Sequence, residues 1–322
     1  MKRVLAPLAI LALFVLAASA PQLITVKYYI QLIILAMIWT IMAHGQNVIQ
    51  GLTGYVSITQ AGLMGVGAYA STLLSIKAGL PVWASMAAAP VITALFSVLV
   101  GYPSLRVKGH YFAIVTLAYN MVIFTVLLNY SSLTGGEAGI SNVRRPEPIA
   151  GLLNFDDRTN YYYLTLVVAV AMTGVTALLM RSPVGRILRS IHQNEALASA
   201  YGVAVWKYKL FAFVVSAFYA GVAGALYAHY IGFINPETFG VAQSLDAILA
   251  VILGGAGTLF GPILGAFAVV FLPEYLRIAD SFRLIVYGVL LVLATIFMPR
   301  GALHALSQIG GFLWRRLGRS TR

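Results

Sequence analysis

Apolar residues along this chain fall in long continuous runs, not in the alternating pattern of half-buried strands. Ten runs stand out, at 4–24, 28–48, 56–76, 81–101, 111–130, 161–180, 210–230, 244–259, 261–272 and 283–298. About 20 apolar residues in a helix cross the hydrocarbon core of a bilayer. In lipid only helices and closed barrels satisfy their own backbone groups, and a barrel would show short alternating strands of about ten residues. The pattern therefore predicts an all-α polytopic membrane protein, one transmembrane domain over 1–322 with about ten spans. The eighth and ninth runs are the weakest. They are split by Gly254-Gly255-Ala256-Gly257, which predicts either two short tilted helices or one helix and a re-entrant piece. The first run has the look of a signal peptide, with Lys2-Arg3 before it and Ala18-Ser19-Ala20 after it. Pro21 directly follows the small triplet and hinders cleavage, so an uncleaved first helix is expected.

Composition agrees with this picture. Of 322 residues, 60% are hydrophobic and 9% charged, against about 25% charged in an ordinary soluble domain. Mean hydropathy is +0.88. A water-soluble globule and a disordered chain are excluded. The net charge of +12 does not make a nucleic-acid binder, because the basic residues are scattered between apolar runs instead of sharing one solvated face. With the N-terminus inside and ten spans threaded, 14 of the 21 Lys and Arg fall in inside segments, among them Arg106, Arg186, Lys207 and Lys209. Acidic residues favour the other side, at Glu137, Glu147, Asp156, Asp157, Glu237, Glu274 and Asp280. The positive-inside rule then predicts both termini in the cytoplasm, with 299–322 as a basic tail near anionic lipid and 131–160 as an external loop.

Chemistry is sparse. No cysteine is present, so disulfides and thiolate sites are excluded. No lysine follows a glycine, so no phosphate-binding Gly-Lys-Ser/Thr exists, and Gly254–Gly261 is better read as a helix break than as a nucleotide loop. The histidines are far apart and read as packing residues. Asp246 is the main intramembrane acid, a functional candidate by default. Its plainer reading is a first-turn acid behind a Ser244 cap. No series of buried carboxylates or histidines marks an ion relay, so the energy for any transport must come from elsewhere. In the third run Gly62, Gly65, Gly67 and Ala68 are small and closely spaced, which suits close helix packing.

The segment 181–209 is the longest inside loop and does not read as a loop. Ser182-Pro183 starts a helix, serine as cap and proline in the first turn. Ile187, Leu188 and Ile191 form an apolar stripe flanked by Arg186 and Arg189. Asn194 caps a second short helix over 195–201, Glu195 lies at its positive end, and Gly202 closes it with a left-handed residue. The small residues Ala196, Ala198, Ser199 and Ala200 favour a helix that docks in a groove of a soluble partner over one that lies on lipid.

These stretches match a known family. The chain resembles the permeases of branched-chain amino acid ABC importers, of the M type, over roughly 40–300. The resemblance is carried by Gly51-Leu-Thr-Gly-Tyr-Val-Ser-Ile-Thr-Gln-Ala-Gly, by Gly65-Val-Gly-Ala-Tyr and by Leu105-Arg-Val-Lys-Gly-His-Tyr-Phe-Ala-Ile-Val-Thr-Leu. It continues in Thr134-Gly-Gly-Glu-Ala-Gly-Ile, Ser182-Pro-Val-Gly-Arg, Asn194-Glu-Ala and Leu253-Gly-Gly-Ala-Gly-Thr-Leu-Phe-Gly-Pro. It implies a type II-like ABC importer fold in the inner membrane and a transport subunit that is not itself an enzyme. It also implies a second, homologous permease, two ATPase subunits that bind ATP and Mg, and a periplasmic substrate-binding protein. The loop 181–209 then resembles the family's coupling loop, with Arg186, Asn194, Glu195, Ala196, Ala198 and Gly202 as coupling residues. This sequence departs from the commonest motif, since Leu197 stands where a second alanine is usual. The expected translocation path is lined by Ser57, Thr59, Gln60, Thr116, Asn120, Ser244 and Asp246, and Thr134, Gly135 and Gly136 are expected to help receive the binding protein. A urea or short-amide permease and a stand-alone ion-coupled carrier are the alternatives.

Overall fold

The computed structural model describes residues 26–107, 109–148 and 154–275, with isolated positions at 19, 21, 22, 288, 289, 292 and 301. The expected spans at 4–24 and 283–298 and the basic tail at 299–322 fall almost wholly outside the described residues.

Eleven helices form within the described residues. α1 (Lys27–Gln46) runs directly into a π turn (Asn47–Gly51), and a loop over 52–59 leads to α2 (Gln60–Ile76). α3 (Val82–Ser104) and α4 (His110–Asn129) come next, then a one-turn α5 (Ser131–Thr134). α6 (Arg158–Arg181) leads to two short helices, α7 (Pro183–Gln193) and α8 (Glu195–Ala200). α9 (Val205–Ile231), α10 (Val241–Gly254) and α11 (Gly261–Tyr275) complete the series. Among the described residues six helical stretches are long and apolar enough to cross a membrane: Lys27–Gly51, Val82–Ser104, His110–Asn129, Arg158–Arg181, Val205–Ile231 and Pro236–Gly254. The chain is thus a polytopic helical membrane protein. For the spans that are described, the expected boundaries hold to within about five residues: α2 begins four residues late at Gln60, α9 begins five early at Val205, and α10 ends five early at Gly254.

Burial separates the central helices from the outer ones. In its most apolar window Lys27–Gly51 is 83% buried and Val205–Ile231 is 61% buried, against 28% for His110–Asn129 and Arg158–Arg181. α1 and α9 therefore form the axis. α2 and α3 pack on α9, while α6, α10 and α11 pack on α1. The outer helices turn Leu95, Leu99, Ile114, Val122, Val167 and Leu178 outward. Such faces need no further explanation in a bilayer, where lipid is as apolar as the side chains.

Small residues set the spacing of the central seam. A Cβ at Gly67 would lie 2.5 Å from Gly221 Cα, and one at Gly224 would run into the carbonyl of Met64. The packing role expected of the third-run glycines is therefore observed. Backbones that approach this closely gain van der Waals contact that larger residues would prevent.

α9 is one continuous helix of 27 residues, so at 1.5 Å per residue its ends lie about 40 Å apart. α7 and α8 stand at its N-terminal end. At its C-terminal end Ile140–Ser141 pairs antiparallel with Phe233–Ile234. The 131–160 segment and the 181–209 segment therefore lie at opposite ends of the bundle.

The glycine-rich stretch resolves into two short helices. α10 ends at Gly254, Gly255 (φ 119°) and Gly257 (φ 72°) turn the chain, and α11 packs back against α10. A side chain at Gly265 would strike the Ala250 carbonyl. The expected Ser244 cap is not formed. α10 starts at Val241 after Gly240, so Ser244 is inside the helix and Asp246 lies in the second turn. The 3₁₀ turn Pro236–Phe239 feeds straight into the helix, and the helix begins before the run of strongest hydropathy does.

Candidate coupling loop and translocation path

The caps of the 181–209 segment form as the sequence dictates. Ser182 Oγ accepts a hydrogen bond from Gly185 N at 3.1 Å with Pro183 in the first turn, and Asn194 Oδ1 accepts from Leu197 N at 2.9 Å. Gly202 has φ +83° and closes α8. Leu188 and Ile191 are buried beneath α7, while Arg186 and Arg189 face out. The second helix ends at Ala200, one residue short of the expected boundary.

The faces of α8 differ from the expected ones. Ala198 points inward, buried with Ile191 and Val205, and is not an outer contact. The outward face carries Ala196, Leu197 (54% exposed) and Tyr201 (80% exposed).

Glu195 also faces inward. Its Oε1 lies 2.7 Å from Lys209 Nζ, an ion pair across the base of the loop. Tyr55 OH donates to Glu195 Oε2 at 2.6 Å, and Lys209 Nζ donates to the Tyr55 oxygen at 2.5 Å. The three groups close a ring. Lys209 is 3% exposed, and its ammonium sits 3.9 Å from the centre of the Tyr55 ring. Tyr55 is held from the far side by an edge contact to Phe112. Burial, then the hydrogen bond and charge of Glu195, push the Tyr55 phenol up to about 12, so it stays a neutral donor.

The ring adds to two expectations: Lys209, counted among the inside basic residues, is buried, and Glu195 serves more than the helix dipole. No spacing in the sequence links Tyr55 with a residue 140 positions later. The only available signal was that Lys209 lies at the edge of an apolar run.

A second contact runs beside the first. His192 Nδ1 donates to Gly51 O at 3.1 Å, and Gly54 (φ +78°) is so close that a Cβ would lie 2.9 Å from the His192 ring. Together α7 and α8 touch the 51–55 stretch at two points.

The expected path residues lie together at the N-terminus of α2. Gln46 Nε2 donates to Ser57 O at 3.1 Å, and Ile58 N donates to Thr116 Oγ1 at 3.1 Å. Ala61 N donates to Ser244 Oγ at 2.9 Å and Gly62 N to Asn120 Oδ1 at 2.7 Å. Ser244 Oγ also reaches Asn120 at 3.4 Å. Gln60 bonds Ser216 on α9, accepting from its Oγ at 2.9 Å and donating to its carbonyl at 3.2 Å. The first amides of a helix have no partner within it. Here α4 and α10 supply those partners from across the bundle. Ser57, Thr59, Gln60, Thr116, Asn120 and Ser244 are all fully buried. Among the described residues Ser57 Oγ, Thr59 Oγ1 and Asn120 Nδ2 find no hydrogen-bond partner. Asp246 is only partly buried, two residues beyond Ser244 on α10.

The Thr134 region is a turn more than a surface. Thr134 is buried and donates to Leu127 O at 2.7 Å, and Gly135 and Gly136 adopt φ +79° and +60°. The exposed residues beside them are Leu133 and Glu137. No group of three or more His, Cys, Asp or Glu suited to a metal occurs among the described residues.

The family described as branched-chain amino acid transport system / permease component matches residues 28–295. The high-affinity branched-chain amino acid transport system permease protein LivM of Escherichia coli is 33% identical over 91% of this chain and 74% of its own length. LivH of the same organism is 27% identical over 82% of this chain and 91% of its own length. The guanosine ABC transporter permease NupQ of Bacillus subtilis is 25% identical over 75% and 82%. No solved structure gives a significant match. A match over most of the chain, with the Gly51–Gly62 and Asn194–Gly202 stretches meeting in space, places this protein in the family of branched-chain amino acid transport system permease components.

Proposed function

We propose that the chain is the membrane-spanning subunit of an ATP-driven importer of branched-chain amino acids in the inner membrane. LivM and LivH are named as permeases of that transport system, and this supports both the substrate class and a second, homologous permease as partner. On this reading the fold is type II-like with about ten spans, both termini are cytoplasmic, and the α7–α8 end faces the cytoplasm. Two ATPase subunits bind ATP and Mg and hydrolyse the nucleotide. A periplasmic binding protein delivers the solute to the opposite end, where the Thr134–Gly136 turn shapes the external surface.

One observation carries the coupling assignment: α8, capped at both ends by Asn194 and Gly202, presents Leu197 and Tyr201 outward at one end of the bundle. An exposed apolar pair on a short capped helix fits a groove in a soluble partner. Arg186, Asn194, Ala196 and Gly202 shape or surround that surface, whereas Glu195 and Ala198 anchor it from within. The translocation path follows the polar group around Gln60, Asn120 and Ser244. Unused donors and acceptors there suit a zwitterionic solute without any full buried charge. The names of the relatives give no support to a urea or short-amide permease.

Reconstitution tests the reading. The chain with its permease partner, ATPases and binding protein, in proteoliposomes, is expected to accumulate labelled leucine, isoleucine or valine only with internal ATP. Uptake by the purified chain alone would refute it.

A further inference from the structure

We infer that the Tyr55–Glu195–Lys209 ring carries motion from the coupling helix to the N-terminal end of α2. The energetic connection then runs through the loop 52–59, and not solely through the spans joined to either end of 181–209. This rests on the coupling role proposed above and names the route by which it acts.

Bond by bond, the route is continuous. Glu195 is the first residue of α8, so displacement of that helix is felt at once by its carboxylate. The carboxylate holds Lys209 at 2.7 Å and accepts from Tyr55 at 2.6 Å. Beside it, His192 at the end of α7 bonds Gly51 O and abuts Gly54. Two successive helices of the loop thus hold the same short stretch. From Tyr55 the chain needs only five residues to reach Gln60. On the way Ser57 O is held by Gln46 and Ile58 N by Thr116. At its end Ala61 N and Gly62 N are capped by Ser244 and Asn120, side chains of two other spans. Side-chain caps from separate helices can be exchanged without breaking an intrahelical ladder. A pull at Tyr55 therefore acts where the polar centre of the bundle is most easily rearranged. Energetic coupling between distant sites needs an element with two arrangements, and exchange of these caps would supply the second.

Tyr55→Phe and Lys209→Met test the inference in the reconstituted complex, with uptake and ATP hydrolysis measured together. Both variants are expected to co-purify with the ATPases, and transport per ATP hydrolysed is expected to fall at least tenfold. A structural readout accompanies this. The chain has no cysteine, so Ile58→Cys is a clean reporter. Its rate of thiol modification is expected to change on nucleotide trapping in the otherwise native chain, and not in the Tyr55→Phe background. Tyr55→Phe keeps the ring against Phe112 and decides the matter should Lys209→Met fail to assemble. If the native complex couples and both variants couple equally well, or if the Ile58→Cys response persists without the Tyr55 hydroxyl, the route through 52–59 is wrong. If the native complex shows no ATP-dependent uptake, the importer reading itself falls.

Discussion

Lys209 Nζ and Glu195 Oε1 meet at 2.7 Å, joining the first turns of α9 to the first residue of α8. The lysine is 3% exposed and the glutamate side chain 29%. Removing the lysine takes away the buried end of the pair and leaves the glutamate, which reaches solvent, with less compensation, at a cost of about 1–3 kcal/mol. Lys209→Ala is expected to lower the melting temperature of the detergent-solubilised chain clearly more than Arg186→Ala. The Arg186 side chain is exposed and bonds Arg181 O at 3.3 Å. Equal shifts in a thermal unfolding assay would contradict the burial argument.

Gly202 separates backbone strain from steric clash. Its φ is +83°, yet a Cβ there would meet nothing within 4 Å. Gly202→Val is expected to cost about 1–2 kcal/mol through the left-handed backbone alone, loosening the end of α8. Leucine uptake and transport-stimulated ATP hydrolysis should both decline. Normal values in a correctly inserted protein would remove α8 from the coupling role.

Tyr55 supplies a pH test. Its phenol is raised above the ordinary value of 10.0 to about 12. A group with a raised folded-state pKa contributes stability that is complete below the unfolded value and is lost as pH rises through the folded one. The window is therefore pH 10 to 12. The native chain should lose stability across that window more steeply than Tyr55→Phe. Parallel curves in alkaline thermal melts would show that Tyr55 ionises as a free phenol.

Asn120 holds the Gly62 amide. Asn120→Leu leaves that buried donor without its acceptor, a loss of about 1–3 kcal/mol. Asn120→Thr keeps a neutral side-chain acceptor at this buried position. Thermal stability is expected to drop for leucine and to drop less for threonine. Equal losses in both would mean that the Oδ1 contact at 2.7 Å matters little.

Gly224 has no room to grow, since any Cβ meets the Met64 backbone. Overpacking of a tight interior costs about 1–3 kcal/mol. Gly224→Val should separate α2 from α9 and reduce the yield of folded protein. Gly174→Val on α6 faces open space and should not. Comparable yields in size-exclusion profiles would argue against a close seam.

Much of the fold was legible in sequence because membrane helices and capped helices announce themselves locally. Run length marks the spans, and Ser182-Pro183, Asn194 and Gly202 mark the ends of α7 and α8. Polar residues inside apolar runs, such as Asn120 and Ser244, were identifiable as a group, though their work in capping α2 was not. That capping depends on which helices become neighbours, and apolar runs carry little information about neighbours. The ring formed by Tyr55, Glu195 and Lys209 was hidden for the same reason. Glu195 looked accounted for by the helix dipole, and Lys209 by the positive-inside rule. Ser244 misled because hydropathy reports where apolar residues begin, whereas a helix begins where its first amide is turned.

The wide π turn at Asn47–Gly51 fixes the phase of the connector that leads to α2. Within the turn Asn47 clasps the glycine turn, accepting from Gly257 N at 2.8 Å and donating to Thr258 O at 2.9 Å, while the Gly51 carbonyl meets His192. Two remote parts of the chain are thus keyed to positions four residues apart. Inserting or deleting one residue between 47 and 51 would rotate these two positions out of step with their partners. This short connector, unlike most loops, should tolerate no change in length.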